Sequence, residues 1–174
     1  MFRKTFAHLF VLTAATVVLG GTAAAQIKVG VISMQQAVLQ TAEIKKASAE
    51  LEAKYKPRQQ EMEKVQRELS GIQQQLQTNA GKLTPAAEAD LNAQGQRKQR
   101  ELQRMDDDLK ADVNTDRNEI LSNAGRKMRE IVQKLAADKG LDVIVDEQSA
   151  LFFKPALDLT NDAIAAYDKA YPAK

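Results

Sequence analysis

The sequence predicts an α+β fold, in which a long antiparallel two-helix coiled-coil arm projects from a small three-stranded sheet body that oligomerises. Three observations carry this. Apolar residues recur at steps of three, four and seven on both sides of a Gly- and Pro-bearing turn at 78–88, a narrow stripe suited to burial against one neighbouring helix. Short β-forming runs, IKVGVIS at Ile27–Ser33 and DVIVDEQSALFFK at Asp142–Lys154, stand at the two ends of the helical tract. The second run is apolar on both faces of both its halves, and a strand of that kind needs cover on both sides. One face can take helix ends. Other copies of the chain are the economical cover for the second.

The first element, residues 1–25, reads as a signal peptide, with Arg3 and Lys4, the apolar run Phe6–Gly20, and Ala23 and Ala25 ahead of a cleavage point after Ala25. An uncleaved membrane anchor is the competing reading, and a lipidated terminus is excluded because the chain has no cysteine. Cleavage removes Arg3, Lys4 and the only histidine, His8. The mature chain then carries 23 basic and 23 acidic residues, so the precursor's basic balance is not a nucleic-acid signal. Export places it where disulfides form, yet none is used.

In Ile27–Ser33, Ile27, Val29 and Val31 share one side of a strand and Ile32 points to the other. Ser33 with Gln36 makes an S-x-x-Q capping box for a short helix starting at Met34. Thr41 restarts the helix, and a seam follows through Ile44, Leu51, Tyr55, Met62, Val65, Leu69, Ile72 and Leu76. An ordinary amphipathic helix is the alternative. Pro57 removes a donor and crowds the carbonyl of Ala53, so a kink is expected near Lys56. In the turn, Asn79 and Gly81 suit left-handed conformations, Thr84 caps the returning helix and Pro85 suits its first position. Gly140 stops that helix. Folding back near position 81 or 82 sets Ala42 near Leu121. Residues 26–41 with 120–174 are expected to form the body, and 42–119 the arm. Thr160–Tyr171 is a closing helix.

Catalysis has little to stand on. Without His or Cys in the mature chain there is no triad and no thiol nucleophile, and no glycine-rich phosphate loop occurs. Asp106, Asp107 and Asp108 are consecutive on a helix and do not converge on one ion. No catalytic, cofactor or metal residue is therefore assigned. Gln96–Arg104 is basic but lacks interleaved aromatics, which argues against nucleic acid.

The run VGVIS with MQQAVLQTAEIKKASAELE, the segment YKPRQQEMEKVQREL, and the closing LDVIVDEQSALFFK and DLTNDAIAAYDK resemble the OmpH/Skp family of periplasmic chaperones. The specific part is the order of strand, helical hairpin, two strands and helix. The resemblance implies a periplasmic homotrimer whose arms surround a cavity. That cavity holds unfolded outer-membrane β-barrel proteins without ATP or any cofactor. The family is typically basic with positive arm tips, whereas this mature chain is neutral, although Lys64–Arg104 carries seven basic and four acidic residues and Gly140–Lys174 three basic and six acidic.

The candidate oligomerisation residues are Ile27, Val29, Val31, Val143, Ile144, Val145, Leu151, Phe152 and Phe153. The candidate client-binding residues are Lys64, Arg67, Lys82, Arg97, Lys98, Arg100 and Arg104, with Leu69, Ile72, Leu76 and Leu83. Gly71 and Gly95, at similar heights on the two helices, are hinge candidates together with Pro57, or are simply tolerated surface glycines. Weak contact with anionic lipid or lipopolysaccharide is a secondary expectation. The competing function is a coiled-coil spacer or tether of the cell envelope. A spacer needs no affinity for unfolded chains.

Overall fold

A computed structural model describes residues 27–173; the signal-peptide reading of 1–25 falls outside them. Val29–Ile32 form β1, Met34–Leu39 α1, Ala42–Thr78 α2, Pro85–Lys139 α3, Val143–Asp146 β2 and Thr160–Ala170 α4. Glu147–Ser149 and Pro155–Leu157 are single turns of 3-10 helix.

The helix ends follow local chemistry. Thr41 Oγ1 accepts from the backbone N–H of Ile44 at 3.3 Å, and Thr84 Oγ1 from that of Ala87 at 3.2 Å, each satisfying a donor with no partner inside its helix. Gly140 closes α3 in the left-handed region at φ 60°. In the turn only Gly81 takes positive φ, at 73°, while Asn79 stays at −105°. The helices α2 and α3 contain 37 and 55 residues, or about 55 and 80 Å. α2 runs unbroken through Pro57.

The expected capping box of α1 does not form, because Ser33 sits at the cap without a side-chain cap bond. Its place is taken from outside the helix. Ser33 N–H donates to Thr160 Oγ1 at 2.9 Å and Met34 N–H to Asp146 Oδ2 at 3.3 Å. The start of α1 is packed against β2 and α4, whose oxygens already stand there.

The sheet has two strands among the described residues, not three. β1 and β2 pair in parallel, with Val29 opposite Val143 and Ile32 opposite Asp146. A parallel pair needs a long crossover, and here the crossover is the whole helical hairpin. The hairpin expected over Asp142–Lys154 is absent. Asp146 ends β2, since its Oδ1 accepts from Gln148 N–H at 2.9 Å and turns the chain into Glu147–Ser149. Leu151–Phe153 then run outside any strand. The next backbone to reach β1 is at Asp158, a single parallel bridge to Val31, beside which Leu159 N–H donates to the Val31 carbonyl at 2.8 Å.

Strand alternation divides the sheet. Ile32 joins the core with Ala37, Val38, Ile44, Ala124, Met128, Ile131, Ala163 and Tyr167, and Ile144 packs against it. Val29, Val31, Val143 and Val145 occupy the other face. Within this chain one face of β2 stays partly open, with Val143 42 % exposed and Val145 half-buried.

The two long helices run antiparallel, but their side-chain partners are offset from the expected register. Glu43 meets Lys127, Lys54 meets Asp116 and Glu68 meets Lys98. Each Cα–Cβ bond tilts toward its own helix N-terminus. Side chains of α2 therefore lean toward the sheet and those of α3 toward the tip. Touching residues thus carry higher numbers than a level pairing across the turn would give.

Candidate functional site

The predicted oligomerisation residues do not all behave alike. Val31 is buried within the chain, while Val29, Ile144, Val145 and Phe153 are half-buried. Ile27 and Val143 are exposed, Phe152 is 84 % exposed, and Leu151 is fully open to solvent. β2 is also the last strand of its sheet, so among the described residues one of its backbone edges has no strand partner. The structure brings a bare strand edge and large apolar side chains into the same body.

The predicted arm residues divide into a seam and a set of free cations. Leu69 is buried between the helices with Val65; Ile72, Leu76 and Leu83 are half-buried. Lys98 reaches across to Glu68 at 2.8 Å and along α3 to Glu101 at 3.1 Å. The Lys98 hydrogen bond, with its charge, holds the Glu68 carboxyl below the usual range. Lys64 and Arg67 make long contacts of 3.7 and 3.9 Å to Glu61 and Glu63. Lys82, Arg97, Arg100 and Arg104 are exposed and form no ion pair with the described residues.

Gly71 has nothing within 4 Å of where a Cβ would stand, while a Cβ on Gly95 would touch Ile72 Cγ2 at 3.6 Å and Leu69 Cδ1 at 4.0 Å. These are ordinary contact distances, so both positions accept alanine. Each Gly→Ala change removes about 1 kcal/mol of helix penalty. The double variant Gly71→Ala, Gly95→Ala is expected to slow amide exchange across Leu69–Gln99. Unchanged exchange there would show that these glycines do not set the local stability of the arm.

Sequence reasoning missed two polar clasps. In the third of the arm nearest the body, buried Tyr55 donates its hydroxyl to Asp116 at 2.8 Å, beside Lys54–Asp116 and Arg58–Asp112 ion pairs. Burial and then the Asp116 hydrogen bond push the Tyr55 phenol up. The seam position of Tyr55 was legible, but its partner some 60 residues away was not. At the foot of the arm Glu43 accepts from Lys127 Nζ at 2.7 and 3.0 Å and from the Tyr167 hydroxyl at 2.7 Å, joining α2, α3 and α4. Burial pushes the Glu43 carboxyl up, yet the hydrogen bonds from Lys127 and Tyr167 prevail and hold it below the usual range. Asp168 Oδ1 adds a bond from Ala42 N–H at 2.9 Å, so α4 grips the first turn of α2 at two points. No sequence signal pairs Glu43 with Lys127 and Tyr167.

Among the described residues no group of acidic, His or Cys side chains could hold a metal ion, and no helix is long and apolar enough to cross a membrane. One open groove on the arm is lined by Lys54, Tyr55, Arg58, Asp112, Thr115 and Asp116.

The chain is 22% identical to a Skp-like protein of Pseudomonas aeruginosa, over 89% of this chain and 92% of that one. It is 25% identical to the chaperone protein Skp of Pectobacterium atrosepticum, covering 79% of this chain and 83% of the relative. The crystal structure of a candidate OmpH-like outer membrane chaperone from Caulobacter crescentus CB15 superposes with a TM-score of 0.71 at 20% identity, over 86% of this chain and 89% of that one. That likeness establishes the fold, a small sheet with long helices. The family model described as outer membrane protein (OmpH-like) matches residues 28–167, and the chain belongs to that family.

Proposed function

We propose that this protein is a periplasmic, ATP-independent holdase. In this reading the mature chain, cleaved after Ala25, forms a homotrimer through residues 26–41 and 120–174. The arms at 42–119 enclose unfolded outer-membrane β-barrel proteins and keep them from aggregating. One observation carries the reading, namely a body left incomplete at the foot of a well-packed arm. Leu151, Phe152 and Val143 lie open, and β2 has an edge without a strand partner among the described residues, while the arm seam is closed by Tyr55, Val65 and Leu69. An exposed edge with large apolar neighbours is a pairing template, and further copies of the same chain satisfy it. The arms of such an assembly then stand around a shared space, with the free cation Lys82 at their far ends and Arg97, Arg100 and Arg104 along them. The chaperone names of the relatives support the same reading.

The test is the mass of the purified mature protein alone, then with a urea-diluted outer-membrane porin. The expected results are a trimer, and a trimer carrying one porin in a chelated, nucleotide-free buffer. Exposed charges are screened over about 8–10 Å at physiological salt, so the association rate should fall with salt while the formed complex persists. A protein that neither binds the porin nor slows its aggregation would be an envelope spacer instead.

A further inference from the structure

The two edges of the arm differ chemically, and the difference assigns one of them to the client. On one edge Glu68, Lys98 and Glu101 are bound to each other. On the other edge an open groove between α2 and α3 has Met62, Leu69 and Leu102 within it and Gln66, Gln99 and Gln103 along it. The only charged groups lining it, Glu63 and Asp106, are paired with Arg67 at 3.9 Å and Lys110 at 2.6 Å. Gln103 donates to Asp107 at 3.0 Å and keeps its carbonyl free.

We infer that this groove seats an extended segment of unfolded polypeptide, an inference that rests on the holdase reading. Successive residues of an extended chain point to opposite sides. One apolar side chain can therefore enter between Met62, Leu69 and Leu102 while its neighbours stay in solvent. The peptide backbone presents donors and acceptors in turn, and primary amides supply both from a single side chain. A surface with no unpaired cation is matched to that neutral backbone and not to an anionic lipid headgroup. The bound edge at Lys98 has already used its charges internally and offers neither an apolar floor nor free amides. Capture by the free cations and retention in the groove are then separate events on different side chains of the arm.

The experiment places a photoreactive residue at Gln66 or Gln99, and as controls at Glu68 or Glu101, in the full mature chain with a urea-diluted porin. Cross-linking from the groove positions should exceed that from the controls at least about fivefold. Separately, Gln66→Ser with Gln99→Ser removes two amides without adding apolar surface to the groove. Porin affinity should fall about tenfold, the loss of two modest hydrogen bonds, with the trimer unchanged. Equal cross-linking from both edges, or affinity unchanged in the serine variant, overturns the groove and leaves the holdase reading standing. Cross-links between copies without client assign the groove to assembly and also overturn it. Failure of the unmodified protein to bind the porin at all overturns the holdase reading itself.

Discussion

Replacing Leu151 and Phe152 together with aspartate is expected to yield a folded monomer. Both side chains are solvent-exposed within one chain, so the change removes little from the fold of that chain. Buried against other copies, the two together contribute about 3–6 kcal/mol per protomer, and placing carboxylates there adds a desolvation cost. That is more than a hundredfold in association. Sedimentation equilibrium should show the mass fall from that of the proposed trimer to that of one chain, with far-UV circular dichroism unchanged. The single change Val145→Asp acts at the same edge, but Val145 pairs with Val31 in the sheet and should lower the melting temperature as well. A double aspartate variant that sediments as the parent does would place the assembly surface elsewhere.

The second large effect belongs to Tyr167, the largest fully buried side chain in the described structure. Its ring lies 5.1 Å from that of Tyr171, and its hydroxyl holds Glu43. Tyr167→Ala should cost about 3–5 kcal/mol through the cavity it leaves, enough to consume much of the stability of a small domain. Tyr167→Phe keeps the ring and loses one hydrogen bond to a charged group, about 1.5–3 kcal/mol in general and toward the low end here, because Glu43 is 32% exposed.

The same pair sets an acid dependence. Glu43 is held below its ordinary value of 4.5 in the folded chain, so the folded state binds fewer protons there than the unfolded state does. Its contribution is fully present above that ordinary value and is lost as pH falls through the folded value. Denaturant melts of the parent should lose stability below about pH 4.5, and Glu43→Gln should flatten that part of the curve. An acid limb identical in parent and Glu43→Gln would show that other carboxylates govern it. A native-like melt for Tyr167→Ala would mean that α4 does not buttress the arm.

Much of the architecture was written in local signals. Thr41, Thr84, Pro85 and Gly140 mark helix ends by their own side-chain and backbone chemistry, and the structure uses all four. The seam through Tyr55, Val65 and Leu69 follows from periodicity alone, because a narrow apolar stripe has only one way to leave water. The alternation of Val29, Val31 and Ile32 separated Ile32 from the two valines, and the structure makes the Ile32 side the core side of the sheet. These readings needed nothing beyond neighbours within a turn or two.

Tertiary structure decided whatever depended on a distant partner. The propensity of Leu151–Phe153 favoured a strand, but Asp146 captured the N–H groups of both Met34 and Gln148 and turned the chain away before a hairpin could close. The Thr160 hydroxyl took the Ser33 N–H that the local capping box would have used. A side-chain oxygen delivered from another element competes with the local one on equal terms, and its arrival is invisible in sequence. The clasp of Glu43 with Lys127 and Tyr167 is of this kind, as is the division of the arm into an ion-paired edge and an amide-lined groove. Heptad spacing determines that two helices meet. Which of their flanking side chains face each other depends on how far each leans toward its own N-terminus once the helices are side by side.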